Sequence, residues 1–315
     1  KYINWAIAIL LVAGTFMIVS TNVGKTTYAP NIVPKVMGKQ CVFVLIGYIA
    51  MLFMNRAFRF SWFSKLEIGF IPLCLFILAL PFAFPEVGGS HAWIQIAGMS
   101  LQPSEFVKPF MIILCATCLY RAKKKTSMLK EKGKLFKRAG IVYICICTII
   151  VFQKDYGTLT IITGVTNIGT EVLKHTPLAH IAVRIENFKD PYTNVYGDGY
   201  QPANSLYGIA SANVIGKGPG NSARKYGYLT QADNDYILAV LIEELGIGGF
   251  LCLVALYGLI EFRLFYYAFK TSEVMYKVVL GGTGVYLFMH FFLNAGGVAC
   301  LIPFTGVPLL FISSG

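Results

Sequence analysis

The chain has 315 residues and a formal net charge of +12, while 56% of its residues are hydrophobic, only 13% are charged, and its mean hydropathy is +0.63. Soluble domains contain about 25% charged residues, so this composition excludes an ordinary soluble protein and predicts a polytopic membrane protein. The positive charge does not indicate nucleic-acid binding, because most of it lies in one short segment between two apolar runs.

Apolar runs along the chain predict a bundle of membrane-spanning helices, since each span needs about 20 predominantly apolar residues and a shorter run can borrow flanking residues. We predict spans at Trp5–Val19, Gln40–Met54, Ile68–Phe84, Phe106–Tyr120, Ile141–Phe152, Leu159–Gly169, Tyr236–Ile260, Val278–Leu293 and Leu301–Ile312. The expected fold class is an all-α polytopic membrane protein, a helical bundle of about 8–10 transmembrane spans that forms a single domain over residues 1–315. The chain starts without Met and stops at Gly315, so both ends are expected to be trimmed.

The distribution of basic residues predicts which loops lie on which side of the membrane. The segment Arg121–Arg138 contains nine Lys or Arg residues and one acid, and short loops of this kind stay on the cytoplasmic side. The same rule places Asn55–Lys65 and Arg263–Lys277 inside. The segment Pro85–Ser104 has no Lys or Arg and is therefore expected to lie outside.

The longest polar segment, Arg184–Asp235, contains five basic and five acidic residues and is rich in Gly, Tyr and Asn. Polar segments of this length are often functional. If Tyr236–Ile260 crosses the membrane once from a cytoplasmic Arg263–Lys277, this segment is a long extracellular loop. The stretch Leu159–Val183 conflicts with that placement, because its 25 residues allow one span where two are needed. Either this stretch is re-entrant or interfacial, or residues are missing here.

The side chains that commonly bind metals show no ligand pattern in this sequence. The eight cysteines lie in apolar helical runs, where a free cysteine behaves as a small hydrophobic residue. The four histidines are scattered and lack the spacing of a metal site. No protein metal site is therefore predicted.

Two charged residues stand at the beginning of the fourth predicted span. Glu105 and Lys108 are three positions apart, at the end of a segment that starts with the Gly88-Gly89 turn. A charge in a span is unfavourable unless it is paired or faces a cavity. Two interpretations remain open: a mutual ion pair of the i, i+3 type with no further role, or part of a substrate site.

Five polar motifs follow one another between Trp93 and Ser313. They are Trp93-Ile94 with Gln102-Pro103-Ser104-Glu105 and Lys108; Gln153-Lys154-Asp155-Tyr156-Gly157-Thr158; Tyr200-Gln201, Ser205-Leu206, Gly216-Lys217-Gly218, Gly220-Asn221-Ser222 and Lys225-Tyr226; Asp235-Tyr236-Ile237 with Glu243-Glu244-Leu245-Gly246; and Pro303-x-Thr305-Gly306-x-Pro308 with Ser313. Each motif alone is weak, but in this order they resemble the SEDS family (shape, elongation, division, sporulation), the FtsW/RodA/SpoVE group of bacterial cell-wall polymerases.

The chain departs from the family pattern at several positions. His91-Ala92 stand where a basic residue usually precedes the Trp, and Lys154 replaces the usual Pro. Thr230-Gln231 replace a common Pro-Glu, and Asn234 replaces a common Thr. The stretch Leu159–Val183 is roughly 40 residues shorter than the family's two spans at this place, about the length of two spanning helices.

The resemblance implies a peptidoglycan glycosyltransferase that polymerises lipid II into glycan strands at the outer face of the bacterial cytoplasmic membrane, in division, elongation or sporulation. Asp235 matches the family's essential aspartate and is expected to be catalytic. The residues expected to bind the substrate are Trp93, Gln102, Ser104, Glu105, Lys108, Asp155, Lys217, Glu243 and Glu244. Besides lipid II and membrane lipid, the implied partner is a class B penicillin-binding protein, which is a single-span transpeptidase. A divalent cation, Mg or Mn, is implied as a cofactor.

The chemistry of the individual residues leaves some roles open. Asp235 ends the outer loop just before an apolar run, where it can be a general base or a helix N-cap. Glu243 and Glu244 lie roughly 12 Å further along the helix, and we expect one to support the structure and the other to line a cavity. Lys217 can contact pyrophosphate or lie in a plain Gly-rich turn, and Asp155 can pair with Lys108 or Lys154.

Two other functions remain as alternatives. A lipid II flippase or transporter would also use discontinuous helices and intramembrane acids, but it would need charged residues near the middle of several spans. Here the polar residues cluster near the predicted outer face, which favours chemistry at the membrane surface. A non-catalytic scaffold of a cell-wall synthesis complex is the third interpretation.

Overall fold

A computed structural model describes residues 2–26, 29–57, 71–85, 91–96, 99–124 and 179–314, together with isolated helical residues between 137 and 149. The predicted span Leu159–Gly169, the candidate residue Asp155 and most of the basic segment Arg121–Arg138 lie outside the described residues.

Helices make up most of the described chain. They are α1 (Tyr2–Val23), α2 (Ile32–Ala57), α3 (Ile71–Ala83), α4 (Pro103–Lys124), α5 (Ala179–Lys189), α6 (Tyr200–Ala210), α7 (Ile237–Lys270) and α8 (Val274–Val298). Before α4, the strands β1 (Ile94–Ile96) and β2 (Met99–Leu101) form a short antiparallel hairpin in which Ile94 pairs with Leu101. This hairpin was not predicted from the sequence.

Four helices in the described ranges, α1, α2, α7 and α8, are long and apolar enough to cross a membrane. Each of them coincides with one of the spans predicted from the sequence, and α4 coincides with a fifth. On α2, the apolar side chains of Leu45, Ile49 and Phe53 are exposed. A continuous exposed apolar surface of this kind is unusual for a soluble protein and suits contact with lipid tails.

The prediction of a ninth span at Leu301–Ile312 is wrong, because this segment is irregular. Pro303 and Pro308 have no N–H to donate to a helix, and Gly306 has a φ of 69°, which a regular helix does not allow. The segment instead folds back onto α1, where a Cβ on Gly14 would lie 2.3 Å from the carbonyl oxygen of Phe311.

The predicted cytoplasmic loop Arg263–Lys277 is also mostly helical. Helix α7 continues to Lys270, only residues 271–273 form the connection, and α8 begins at Val274. The basic residues Arg263 and Lys270 therefore belong to the last turns of α7 rather than to a loop. Long basic side chains near a helix end can extend so that their charge lies at the membrane interface. The helical position of Arg263 and Lys270 is therefore compatible with the predicted cytoplasmic side.

The chain divides into two compact units, and the prediction of a single membrane domain over residues 1–315 stays a prediction. One unit contains residues 1–56, 157–263 and 286–315, and the other contains 57–156 and 264–285. The first has a buried apolar core that includes Leu10, Met17, Ile18, Ile237, Leu238, Ile260, Leu309 and Ile312. The second is built around Leu78, Val107, Phe110, Leu114 and Val142.

Candidate functional site

Asp235 lies immediately before α7, as the sequence predicts, and the segment after α8 lies beside it. The side chain of Asn294 in α8 donates one hydrogen bond to the Asp235 carbonyl oxygen (2.9 Å) and another to the Val307 carbonyl oxygen (2.8 Å). A Cβ on Gly306 would lie 3.5 Å from the Asp235 carboxylate. Asn294 thus holds the backbone of Asp235 and the 304–307 segment together.

The electrostatic surroundings of Asp235 give its carboxyl group an unusual proton affinity. Burial raises the pKa of Asp235 to about 7, and the Arg184 guanidinium opposes that shift. Arg184 belongs to α5 and donates to the Phe304 carbonyl oxygen at 3.3 Å, while Phe304 stacks on Tyr236 with ring centroids 4.5 Å apart. A carboxyl group whose pKa lies near neutral pH is suited to take up and release a proton.

The capping interpretation of Asp235 receives no geometric support. Among the described residues, no backbone N–H of α7 donates to its carboxylate, whereas an N-cap side chain accepts from the second or third residue of its helix. The nearest bonds at this helix start join backbone groups, with the Ala239 N–H donating to the Tyr236 carbonyl oxygen at 3.0 Å. The carboxylate of Asp235 is therefore left for another role.

The turn before Asp235 is held by residues from both ends of the chain. The Lys25 ammonium, just after α1, pairs with the Asp233 carboxylate at 2.9 Å, and the Asn22 amide donates to the same oxygen at 3.4 Å. The backbone N–H and the hydroxyl of Ser314 donate to the Asp233 carbonyl oxygen at 3.0 and 2.8 Å. These contacts give Asp233 a structural role, two positions before the candidate catalytic residue Asp235.

Glu243 is fully buried, and its carboxylate accepts hydrogen bonds from groups in the segment 217–225. The Lys217 ammonium and the Ser222 hydroxyl each lie 2.5 Å from it. The backbone N–H groups of Ala223 and Arg224 donate to it at 3.3 Å. Lys217, which was expected to bind the substrate, pairs with Glu243, and its contact with a pyrophosphate stays a prediction.

Glu244 is also fully buried, and it is held by a second set of donors. The buried Lys225 ammonium lies 3.0 Å from it, and the Ser20 hydroxyl of α1 donates at 2.8 Å. The Gly220 N–H donates at 3.0 Å and the Ser222 N–H at 3.4 Å. Protein groups surround both carboxylates, so the structure favours a structural role for each and does not support the cavity-lining role expected for one.

An interruption in α7 allows the 213–218 segment to bond to the helix. Gly246 has a φ of 69° and a ψ of −169° inside this helix. Around the break, the Lys217 and Gly218 N–H groups donate to the Glu243 and Glu244 carbonyl oxygens at 2.9 and 3.0 Å. Backbone groups that a broken helix would leave unpaired are satisfied in this way.

The remaining predicted site residues that the structure describes belong to the other unit. The Lys108 ammonium lies 2.6 Å from the Glu105 carboxylate in the first turns of α4, which shows the predicted i, i+3 ion pair. Ser104 is buried next to this pair, and Gln102 connects β2 to α4 through its carbonyl oxygen, which accepts from the Glu105 N–H. Trp93 directly precedes β1.

Sequence reasoning missed four residues that shape these sites: Arg184, Asn294, Ser222 and Lys225. Ser222, Lys225 and the Thr305-Gly306 turn were inside motifs that carried the resemblance, but no role was assigned to them. Arg184 and Asn294 stood outside every motif. Only their long-range contacts identify them, so no local signal could have found them.

No group of three or more His, Cys, Asp or Glu side chains comes together among the residues that the structure describes. Asp235 has a cation, Arg184, as its neighbour rather than a second acid. The described residues therefore do not form a cage for a divalent cation, which prefers several oxygen ligands.

Comparison with known proteins places the chain among bacterial membrane proteins. It is 30% identical to a probable peptidoglycan glycosyltransferase FtsW of Bacillus subtilis over 99% of this chain and 84% of that protein. It is 30% identical to the stage V sporulation protein E of the same organism over 88% of this chain and 81% of that protein.

The fold matches a protein from a solved peptidoglycan synthase complex, described as coordinating polymerization and crosslinking, with a TM-score of 0.70 and 20% identity over 99% of this chain and 91% of that chain. This match confirms the all-α polytopic fold predicted from the sequence. The FtsW/RodA/SpoVE family model, described as "Cell cycle protein", matches residues 1–169 and 170–315. The chain therefore belongs to the FtsW/RodA/SpoVE family.

Proposed function

We propose that this protein is a peptidoglycan glycosyltransferase that polymerises lipid II, with Asp235 as the general base. The observation that carries this proposal is the position of a carboxyl group with a pKa of about 7 at the head of a spanning helix, where a lipid headgroup would lie. The relatives named as peptidoglycan glycosyltransferases support the reaction class.

The reaction joins the sugar of one lipid II molecule to a hydroxyl group of another. The acceptor oxygen forms a bond to the anomeric carbon of the donor, while the bond from that carbon to the pyrophosphate breaks. Asp235 accepts the proton that the acceptor hydroxyl loses, a step that a positioned base typically accelerates by about 10²–10⁴-fold. Arg184, which lies within electrostatic reach of Asp235, can stabilise the negative charge of the leaving pyrophosphate.

Helix ends support an outward-facing site. Contacts of Ser20 with Glu244 and of Lys25 with Asp233 bring the end of α1 to the start of α7. Since residues 24–31 join α1 to α2, α2 begins at the same end and runs toward Arg56. The opposite end of α2 leads into Asn55–Lys65, and the opposite end of α7 leads into Arg263–Lys277. The positive-inside rule assigns both of these segments to the cytoplasm.

The remaining members of the proposed assembly follow from the family. We propose that a class B penicillin-binding protein is the partner and that Trp93, Gln102, Ser104, Glu105 and Lys108 contact lipid II. We also propose a dependence on a divalent cation, Mg or Mn, which rests on the family resemblance alone. Titration with Mg or Mn after chelation, with strand synthesis as the measurement, tests that dependence.

The decisive experiment replaces Asp235 by Asn in purified protein with its transpeptidase partner. We expect Asp235→Asn to reduce glycan-strand synthesis from lipid II by about 10²–10⁴-fold, because an amide cannot accept the proton. Expression should stay near wild type, and the melting temperature should not fall below that of the wild type. Strand synthesis above about a tenth of the wild-type rate would contradict a base role.

A further inference from the structure

Three tyrosines and one arginine form a continuous exposed surface on the segment 184–235, here named the Tyr–Arg ridge. It consists of Tyr192, Tyr207, Arg224 and Tyr228. The rings of Tyr192 and Tyr207 have centroids 5.7 Å apart, and the Arg224 guanidinium lies 5.4 Å from the Tyr207 ring and 5.2 Å from the Tyr228 ring. The three tyrosines are 47%, 43% and 46% exposed, so their rings are open to a ligand.

Hydrogen bonds to neighbouring side chains hold the residues of the ridge in place. The Arg224 guanidinium donates to the Asn204 side chain at 2.8 Å, and the Arg224 backbone N–H donates to the buried Glu243 carboxylate. Asn204 and Tyr207 are three positions apart in α6 and therefore lie on one face of that helix. The Tyr192 N–H donates to the Asp190 carboxylate at 3.0 Å, which fixes the chain at the other end of the ridge.

The ridge shares a chain segment with the candidate catalytic residue. Tyr192 follows α5, the helix whose Arg184 acts on Asp235. Arg184, Asp235 and all four residues of the ridge therefore belong to the segment 184–235.

We propose that the Tyr–Arg ridge binds the sugar rings of the glycan strand; this inference rests on the proposed function, because it deepens the role of the same site. An aromatic ring has an electron-rich face, which attracts the weakly positive C–H groups on the flat side of a sugar ring. Tyrosine hydroxyls and the guanidinium add hydrogen-bonding groups for sugar hydroxyls. Arg224 holds the partly exposed Tyr207 and Tyr228 rings together, and Tyr192 adjoins Tyr207, so the ridge presents several aromatic rings to a chain of sugars.

The composition of the ridge favours a carbohydrate over lipid tails. A lipid-facing surface of this protein, such as that of α2, exposes aliphatic side chains including Leu45 and Ile49. The ridge instead exposes amphipathic rings around a charged group, and it lies on the segment that ends at Asp235. A strand retained there would stay bound between additions, which would lengthen the product.

The first arm of the test measures product length from lipid II with the purified protein and its transpeptidase partner. We expect Tyr207→Ala and Tyr228→Ala each to shorten the median glycan strand by about 2- to 10-fold, the factor for one lost aromatic contact. Tyr207→Trp and Tyr228→Trp keep an aromatic face and should preserve length. Tyr196→Ala is the matched control, because Tyr196 is 97% exposed on the same segment but outside the ridge.

The second arm measures binding without catalysis. Purified uncrosslinked glycan strands are added to the Asp235→Asn protein, with and without the Tyr207→Ala and Tyr228→Ala changes. We expect each ridge change to weaken strand binding by about 2- to 10-fold, while Tyr196→Ala leaves it unchanged.

The two arms separate the ridge from the proposed function. Ridge-dependent strand binding in a protein that never polymerises lipid II would overturn the proposed function and leave the ridge standing. Equal strand binding and equal strand length with or without the ridge tyrosines would overturn the ridge. Loss of the transpeptidase partner from ridge variants that retain strand length and strand binding would also overturn it, because the ridge would then be a protein docking surface.

Discussion

At the scale of single residues, Asp235 is a carboxyl group whose surroundings favour its neutral form. It is placed in a partly buried position beside the backbone of Gly306 and held through its own carbonyl oxygen by Asn294. A purely structural aspartate would be expected to receive donors that stabilise its charge, as Glu243 and Glu244 do. A strongly shifted pKa together with a nearby cation is characteristic of a functional position.

The raised pKa of Asp235 predicts a pH-dependent reaction. As the base must be deprotonated, kcat/KM for lipid II should rise with pH through a midpoint near 7, where burial places the pKa of Asp235. Arg184→Gln removes the cation that opposes this shift, so its midpoint should move to higher pH. A profile that is flat between pH 6 and 8, or one that Arg184→Gln does not move, would contradict this assignment.

The same shift has a consequence for stability with a definite sign. The pKa of Asp235 is higher in the folded protein than its ordinary value of 3.8, so the folded state binds the proton more tightly. The stability contributed by this proton is complete below about pH 4 and is lost as pH rises through about 7. The melting temperature of the wild type should therefore fall relative to that of Asp235→Asn over this range. If the melting temperatures of the two proteins change in parallel with pH, the pKa of Asp235 is not shifted.

The two buried carboxylates of α7 should differ in how strongly each depends on its lysine. Lys225 and Glu244 are both completely buried, whereas the Lys217 side chain is 33% exposed. Removing one partner of a buried pair costs about 3–5 kcal/mol because the other charge is left unpaired. Lys225→Met should lower the denaturation midpoint more than Lys217→Met, because the buried Lys225 ammonium also donates to the Ser20 hydroxyl and the Gly220 carbonyl oxygen.

A second substitution checks the cause of that loss. Adding Glu244→Gln to Lys225→Met removes the unpaired charge and should recover a large part of the stability. If both lysine variants are equally stable, or if the double variant is less stable than Lys225→Met alone, then the buried pair does not stabilise this segment as argued.

At the scale of elements, the break in α7 determines where the segment 213–218 can attach. Four backbone hydrogen bonds cross this contact, because the Ile247 and Gly248 N–H groups also donate to the Asn213 and Val214 carbonyl oxygens. A continuous α-helix would keep these helix groups bonded internally. At the break, backbone groups of α7 therefore bond to the segment 213–218 instead of to other groups of the helix. The carboxylates of Glu243 and Glu244 on the same helix add side-chain bonds to the residues that follow this segment.

Gly246 makes this exchange possible, and its substitution should destabilise the element. A Cβ at Gly246 would lie 2.4 Å from the backbone of Gly216 and Val214, and alanine disfavours a positive φ by about 1–2 kcal/mol. Gly246→Ala should lower the melting temperature and expose the segment 213–218 to protease. Gly258→Ala is the control, because no atom lies within 4 Å of its Cβ position and alanine favours a helix by about 1 kcal/mol. Equal melting temperatures would contradict the close contact.

At the scale of the whole molecule, the side of the membrane on which the segment 184–235 lies can be measured directly. In a chain whose eight cysteines are replaced by serine, one new cysteine is placed at Tyr196 and another, separately, at Ser272. Both positions are exposed, and α7 lies between them. Tyr196→Cys should react with a membrane-impermeant thiol reagent in intact spheroplasts, and Ser272→Cys should react only after lysis. The reverse pattern would place the proposed active site in the cytoplasm.

The middle of the chain affects how many times the chain crosses the membrane. The family match divides between residues 169 and 170, inside the stretch Leu159–Val183 that is predicted to be shorter than in the family. Sequence reasoning left this stretch as either re-entrant or incomplete, and that alternative stays a prediction. The proposed outer placement of the segment 184–235 rests on the contacts of α1 with the residues before α7 and does not depend on this stretch.

The sequence by itself determined the fold class and the positions of most described spans, and it selected Asp235 as the candidate catalytic residue. These features are local: a run of apolar residues long enough to cross a bilayer forms a helix in that environment, and Asp235 belongs to a motif at the head of such a run. The predicted span Leu301–Ile312 failed because two prolines and Gly306 outweigh apolar composition.

Only the tertiary structure decided which charges are paired and which remain available for chemistry. Lys217 and Lys225 reach Glu243 and Glu244 across about 20 intervening residues, and Arg184 comes to Asp235 from another helix. Such partners are selected by the cost of leaving a charge unpaired away from water, which depends on how distant segments pack. No spacing along the chain encodes that choice, so composition and motifs could not reveal it.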